Sequence, residues 1–116
     1  MKMLHVTIQT SKFEEELAFY QEIAELHITR DMRPAGRNMV FLANAEGETE
    51  IEIIEAENAA DAGNENLSIG FATGDAEAKR EELLAKGLEV TPMLRPNPQV
   101  QFFFVKDPAG VRVQFM

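Results

Sequence analysis

Apolar and polar residues alternate from Leu4 to Gln9, with Leu4, Val6 and Ile8 on one side and His5, Thr7 and Gln9 on the other. A period of two is that of a strand with one face on a core. The period then changes. Phe13, Leu17, Tyr20, Ile23 and Ala24 recur at three- and four-residue steps, with Glu14, Glu15, Glu16, Gln21, Glu22 and Glu25 mostly on the other sides, so a helix is expected to run to about Leu26. Ser11 and Glu14 have the spacing of a capping box at its start. His27 to Met32, Asn38 to Ala43 and Glu48 to Glu55 read as three short strands, separated by the turn-rich Arg33-Pro34-Ala35-Gly36 and Asn44-Ala45-Glu46-Gly47.

The second half repeats this order. Leu67 to Thr73 reads as a strand, Asp75 caps a helix that runs to about Lys86 and ends at Gly87, and Leu88 to Thr91, Val100 to Lys106 and Val111 to Met116 supply three more strands. The offset between matching positions is nearly constant, from Leu4 to Leu67, from Arg33-Pro34 to Arg95-Pro96 and from Phe41 to Phe103. Residues 1–116 therefore read as a single domain of two βαβββ modules, 1–55 and 66–116. The Ala-, Asn-, Asp- and Glu-rich stretch 56–65 joins them as a linker without periodicity.

Composition narrows the functions open to such a chain. With 45% hydrophobic and 27% charged residues it is an ordinary globule rather than a disordered one. A net charge of −9 repels phosphate backbones and anionic lipid, which argues against nucleic acid and membrane surfaces as partners. No apolar run is long enough for a signal peptide or a membrane span, so a cytoplasmic location is expected. The absence of Cys excludes disulfides, thiolate metal sites and a cysteine nucleophile, and leaves His, Asp, Glu or Gln to hold any metal.

Two tandem βαβββ modules, with Phe19-Tyr20 late in the first helix and Asp107-Pro108-Ala109-Gly110 leading into the last strand, resemble the vicinal oxygen chelate superfamily. That superfamily includes glyoxalase I (lactoylglutathione lyase), bleomycin-resistance proteins and extradiol dioxygenases. The resemblance spans essentially the whole chain. It implies an α+β fold in which the modules form a curled mixed sheet with the helices on its convex side. The concave side would carry a metal or ligand site built from four symmetry-related strand positions. The same resemblance implies a homodimer.

If Leu4, Val6 and Ile8 face the helix, alternation turns His5 and Thr7 towards the cavity, together with Glu50 and Glu52, Ser68 and Gly70, and Arg112, Gln114 and Met116. The repeat offset pairs His5 with Ser68 and Glu52 with Gln114, and these four match the family's ligand positions. A metal enzyme of the family presents His or Gln, Glu, His or Gln, and a final Glu. Ser68 and Gln114 depart from that pattern, because a hydroxyl is a poor neutral ligand and an amide cannot act as a carboxylate base. His5 and Glu52 alone would make an incomplete, largely hydrated divalent-metal site, to which Glu50 could add a carboxylate.

Each candidate also has a purely structural reading. His5 can be a half-buried strand histidine bonded to Glu52, and the two glutamates can belong to a solvated strand face. Arg112 either neutralises Glu50 or anchors an anionic ligand. One or two rings of Phe102-Phe103-Phe104 should reach the inner face, with Phe104 the candidate ligand contact. His27 has no assigned role. The loops Arg33 to Arg37 and Leu94 to Gln99, related by the repeat, would frame the cavity mouth.

Three functions follow. The first is a bleomycin-resistance-like protein that binds a small molecule in the cavity without a complete metal site, its ligand contacts drawn from His5, Thr7, Glu50, Ser68, Phe104, Arg112 and Gln114; the negative field and inward carboxylates favour a cationic guest. The second is a divergent metal-dependent lyase or isomerase of the glyoxalase I type, with Glu52 as catalytic base and the metal on His5 and Glu52. The third is a ligand-free dimerisation module.

Overall fold

The structure is a computed structural model that describes residues 1–59 and 66–116. The chain divides into two compact units, Met1–Asp61 and Ala62–Met116. Of the expected linker, 60–65 lie outside the described residues.

The first unit runs β1 (His5–Thr10), α1 (Phe13–Glu22), β2 (His27–Asp31), a single 3₁₀ turn (Arg33–Ala35), β3 (Met39–Ala43) and β4 (Glu50–Glu55). The second runs β5 (Ser68–Phe71), α2 (Ala76–Ala85), β6 (Leu94–Asn97), β7 (Val100–Lys106) and β8 (Arg112–Phe115). Each unit is one four-stranded mixed sheet, in the order β1-β4-β3-β2 and β5-β8-β7-β6. In both, the first strand pairs in parallel with the last and the remaining pairs are antiparallel. The α+β class and the duplicated βαβββ order expected from the repeat are both present.

Among the described residues each unit has one α-helix, which covers one face of that unit's sheet, and the alternation of side chains decides which residues go there. In the first unit Ile8, Val40, Leu42, Ile51 and Ile53 join Phe13, Leu17 and Tyr20 of α1 in the core, and register places Ile8 beside Ile53, Val40 beside Ile53 and Leu42 beside Ile51. In the second, Phe103, Val105, Val113 and Phe115 pack with Ala76 and Leu83 of α2. Rings on this face touch, with Phe115 6.0 Å from Phe71 and 5.7 Å from Phe103, centroid to centroid.

The helix ends differ in how well local chemistry announces them. Asp75 caps α2 as expected, accepting the Ala78 N–H at 3.0 Å. At its other end Gly87 takes φ +81° and the Leu88 N–H returns to the Leu83 carbonyl, the Schellman closure that a residue without Cβ makes cheap. Ser11 is not the N-cap of α1. Its N-cap is Lys12, whose own N–H is taken by the Thr10 hydroxyl at 3.0 Å, and the helix starts one residue later than a Ser11 cap would place it. Glu14, Glu15 and Glu16 in the first turn complement the helix dipole. Glu16, expected on an outer side, is fully buried. The helix stops at Glu22 rather than Leu26, because Glu25 adopts a left-handed φ of 57° and the Leu26 N–H folds back to the Tyr20 carbonyl.

One strand is displaced from its expected position. Leu88 to Thr91 makes only an isolated bridge, Val90 to Val105, and the paired strand is Leu94–Asn97, with a register shift within it, inside what reads in the sequence as a cavity-mouth loop. Pro92 between them has no N–H to give to a ladder, and Pro96 is tolerated because β6 is an edge strand.

The two faces of β7 give a test of this architecture. Phe103→Ala is expected to lower the unfolding free energy by about 3–5 kcal/mol, and Phe104→Ala, whose ring is half-buried on the opposite face, by roughly half of that or less. Urea denaturation of the two variants reads the difference; equal losses would contradict the assignment of faces.

Candidate functional site

The face of the first sheet turned away from α1 carries His5, Thr7, Glu50 and Glu52 together, because β1 and β4 run in parallel with His5 beside Glu50 and Thr7 beside Glu52. Glu52 is 8% exposed. Its Oε2 accepts the Thr7 hydroxyl at 2.5 Å and lies 3.3 Å from Nε2 of His5. The histidine–carboxylate contact of the structural reading is therefore formed, within one unit. Phe41, opposite Glu52 on β3, meets the edge of the His5 ring at 5.8 Å between centroids and lies under the Arg30 guanidinium at 3.7 Å.

Glu50 is also satisfied locally. It accepts a hydrogen bond from the Thr29 hydroxyl and one from Arg30 Nη2 at 2.9 Å. The Thr29 bond is the largest influence and holds its carboxyl below the ordinary glutamate value; burial opposes it, and the bond and charge of Arg30 add to the lowering. Arg30 is thus a cation beside Glu50 within the first unit. Thr29 and Arg30 were not singled out in the sequence. Adjacent residues of a regular strand point to opposite faces, and the register shift between Ile28 and Arg30 interrupts that alternation where Thr29 and Arg30 both reach Glu50.

These donors are too few for a resident metal. A catalytic zinc site draws about three ligands from the protein, and this face offers one imidazole and one carboxylate, already in contact with each other. Among the described residues no group of three or more His, Cys, Asp or Glu is placed to hold an ion. Ser68 and Gln114, in the second unit, are neutral oxygen donors. The set does not fit a tightly held transition metal.

In the second unit, register gives Ser68, Gly70, Phe104, Arg112 and Gln114 the face away from α2, with Ser68 beside Arg112, and Gly70 and Phe104 beside Gln114. A Cβ at Gly70 would come within 3.3 Å of Gln114 Oε1, so the glycine leaves room for the amide to lie across β5. Phe102 and Phe104 meet edge to face at 5.7 Å on this side, while Phe103 is wholly buried on the other. The Arg112 guanidinium stands 4.1 Å above the Phe104 ring.

Next to this pair is a cavity of about 420 Å³, bounded by Leu88 to Thr91 on one side and by Phe104, Val105, Lys106 and Arg112 on the other. It exists because Leu88 to Thr91 runs along β7 without joining it as a full strand. Thr91 fixes that segment at one point: its N–H and hydroxyl bond the Phe104 carbonyl and N–H, each at 2.9 Å, and its carbonyl accepts Arg80 Nε from α2 at 2.9 Å. Phe104 and Arg112 were legible as site residues from alternation. Leu88, Glu89, Val90, Thr91 and Lys106 were not, because they reach the cavity through tertiary placement rather than through any motif.

Residues 2–115 match the model of the Glyoxalase/Bleomycin resistance protein/Dioxygenase superfamily. No curated protein sequence matches the chain. Among solved structures it is similar to the lactoylglutathione lyase of Agrobacterium tumefaciens, at 15% identity and a TM-score of 0.72 over 98% of this chain and 91% of that one. It is similar to the trypanothione-dependent glyoxalase I of Leishmania major, at 18% identity and 0.76 over 100% and 86%. A third is the genomically encoded fosfomycin resistance protein FosX of Listeria monocytogenes, at 16% identity and 0.76 over 99% and 91%. At these identities the likeness is one of fold.

The bonds to Glu50 predict a pH dependence. Its folded-state pKa lies below the ordinary value of 4.5, so the stability it contributes is complete above that value and is lost as pH falls through the lower, folded-state one. The stability gap between the wild type and Glu50→Gln is expected to be widest near neutrality and to shrink steadily below about pH 5. Chemical denaturation across that range measures it; a gap that holds or widens in acid would contradict the assigned bonds.

Proposed function

The chain belongs to the glyoxalase/bleomycin resistance protein/dioxygenase superfamily, and from that premise we propose that it binds a small molecule in a concave cavity without depending on a complete metal site. The observation that carries this reading is the cavity beside Phe104 and Arg112. Its volume of about 420 Å³ falls within the ordinary span of small-molecule sites, and its lining combines apolar side chains with a few polar groups, the usual make-up of such a site. The hydrogen bonds of Thr91 fix one wall before any ligand arrives, which lowers the ordering cost of binding.

A metal-dependent lyase of the glyoxalase I type, with Glu52 as base, draws support from the 3.3 Å approach of His5 and Glu52 and from the two glyoxalase-type neighbours in fold. It is the weaker reading because the carboxylate that would serve as base and ligand already accepts from Thr7 and lies 3.3 Å from His5 Nε2, and because Ser68 and Gln114 stand where the family has stronger donors. A ligand-free module that only dimerises leaves the pre-formed cavity without a purpose. Homodimer formation and a cytoplasmic location remain part of the proposal; among the described residues no helix is long and apolar enough to cross a membrane.

NMR of the full-length protein with a diverse fragment library, covering neutral, anionic and cationic compounds, tests the reading. Hits are expected to move the amides of Val90, Thr91, Phe104 and Arg112. A library in which no compound perturbs that cluster would overturn it. So would one divalent ion per chain that persists through purification and disappears in Glu52→Ala, which would favour the lyase.

A further inference from the structure

We infer that Arg80 and Thr91 are positioning residues for the cavity of the second unit, a latch that holds Leu88 to Thr91 off the β7 ladder and so keeps the cavity open. The inference rests on the proposed small-molecule function and adds to it how that same site opens and closes.

The segment comes closest to pairing with β7 at Thr91. Val90 bridges Val105 in the antiparallel sense, which sets Thr91 opposite Phe104. In a regular antiparallel ladder a hydrogen-bonded pair exchanges both of its N–H···O=C bonds. Here one of the two is replaced. The Thr91 N–H reaches the Phe104 carbonyl at 2.9 Å, but the Phe104 N–H goes to the Thr91 hydroxyl, also at 2.9 Å. The Thr91 carbonyl, the ladder's usual acceptor, instead receives Arg80 Nε from α2 at 2.9 Å. A cationic donor holds an acceptor more strongly than a neutral amide does. The short hydroxyl of Thr91 keeps the Phe104 N–H bonded while the carbonyl is turned away, the kind of side-chain competition with a ladder that Ser and Thr permit.

The flanking chain leaves the choice to this latch. From Thr91 to Leu94 the chain advances three residues while β7 advances two, from Phe104 to Phe102, so the β6–β7 hairpin does not carry its register onto Leu88 to Thr91. Pro92, inside that stretch, has no N–H to add. At the other end Gly87, at φ +81°, closes α2 and leads straight into the segment. The closed arrangement therefore asks for little. Arg80 lets go, the Phe104 N–H moves from the hydroxyl to the carbonyl of the same residue, and Leu88 to Thr91 joins β7 as a strand. Strands paired along their length lie about 4.8 Å apart, which leaves no room between them for a cavity of about 420 Å³. A compound in the cavity and the Arg80 bond favour the same open arrangement, so each strengthens the other.

The test is NMR of the full-length protein, reading hydrogen-bond scalar couplings between amide nitrogen and carbonyl carbon with no ligand added. The wild type is expected to show the coupling from Thr91 nitrogen to the Phe104 carbonyl and none from Phe104 nitrogen to the Thr91 carbonyl. Arg80→Met keeps the stem and loses the donor; Thr91→Val keeps the branched shape and loses the hydroxyl. Both are expected to bring up the missing coupling while retaining the first. Arg80→Lys, which keeps a cationic donor, should restore the wild-type pattern at least in part. The missing coupling already present in the wild type, an Arg80→Met spectrum that keeps the wild-type pattern, or loss of both couplings in the variants would overturn the inference. The fragment library, repeated on Arg80→Met, is expected to give dissociation constants about tenfold higher, the order expected when one charge-assisted bond no longer favours the binding-competent state. Unchanged constants would also overturn it. If no fragment reaches the cavity of the wild type, the small-molecule reading fails, and the couplings still decide whether the latch exists.

Discussion

Among the described residues each unit has one four-stranded sheet and one α-helix, so only one face of each sheet can be buried under that helix. Every second residue of every strand is left on the opposite face, and a sheet face in a folded protein has to satisfy its polar groups, cover its apolar ones, or present both to something else. Both halves inherit this constraint from the same duplicated topology. What distinguishes them is how the side chains on the open face respond to it.

The first unit satisfies that face internally. Two threonines, one histidine and one arginine surround two glutamates, and Phe41 lies between His5 and Arg30 with its edge-on and face-on contacts both used. Such a lattice limits the carboxylates' capacity to act as base or ligand, since a group that gives up a hydrogen bond on binding must recover its cost from the new contact. The second unit has fewer charges and more rings on the matching face. A glycine takes the place of a side chain at 70, a single arginine stands on a phenylalanine, and the neighbouring segment leaves a cavity instead of closing onto β7. One module has come to hold its polar groups among themselves, and the other to hold open space.

Which residues share each open face was legible in the sequence, because that depends on a period of two and on a repeat, both of which survive without any knowledge of tertiary contacts; how the two faces differ in use was not. His5, Thr7, Glu50 and Glu52 share a face, as do Ser68, Phe104, Arg112 and Gln114, where alternation places them. The misses lie where local chemistry departs from that period. The shift at Ile28 to Arg30 hid the partners of Glu50, the left-handed Glu25 shortened α1, and Pro92 moved the β6 ladder onward, opening the cavity beside β7. The burial of Glu16 carries no signal in a pattern that otherwise sets glutamates outside.

The chain has no cysteine of its own, so single introduced thiols report which way a position faces. The most direct test is the rate of thiol labelling in the native state for neighbouring pairs along one strand, Thr7→Cys with Ile8→Cys in the first unit and Gln114→Cys with Val113→Cys in the second. The account predicts rapid labelling at 7 and 114 and labelling at 8 and 113 that waits on unfolding, slower by several orders of magnitude or roughly in proportion to the unfolded fraction. Similar rates within either pair would contradict the account, since they would mean that the sheet of that unit does not have one face covered and one open.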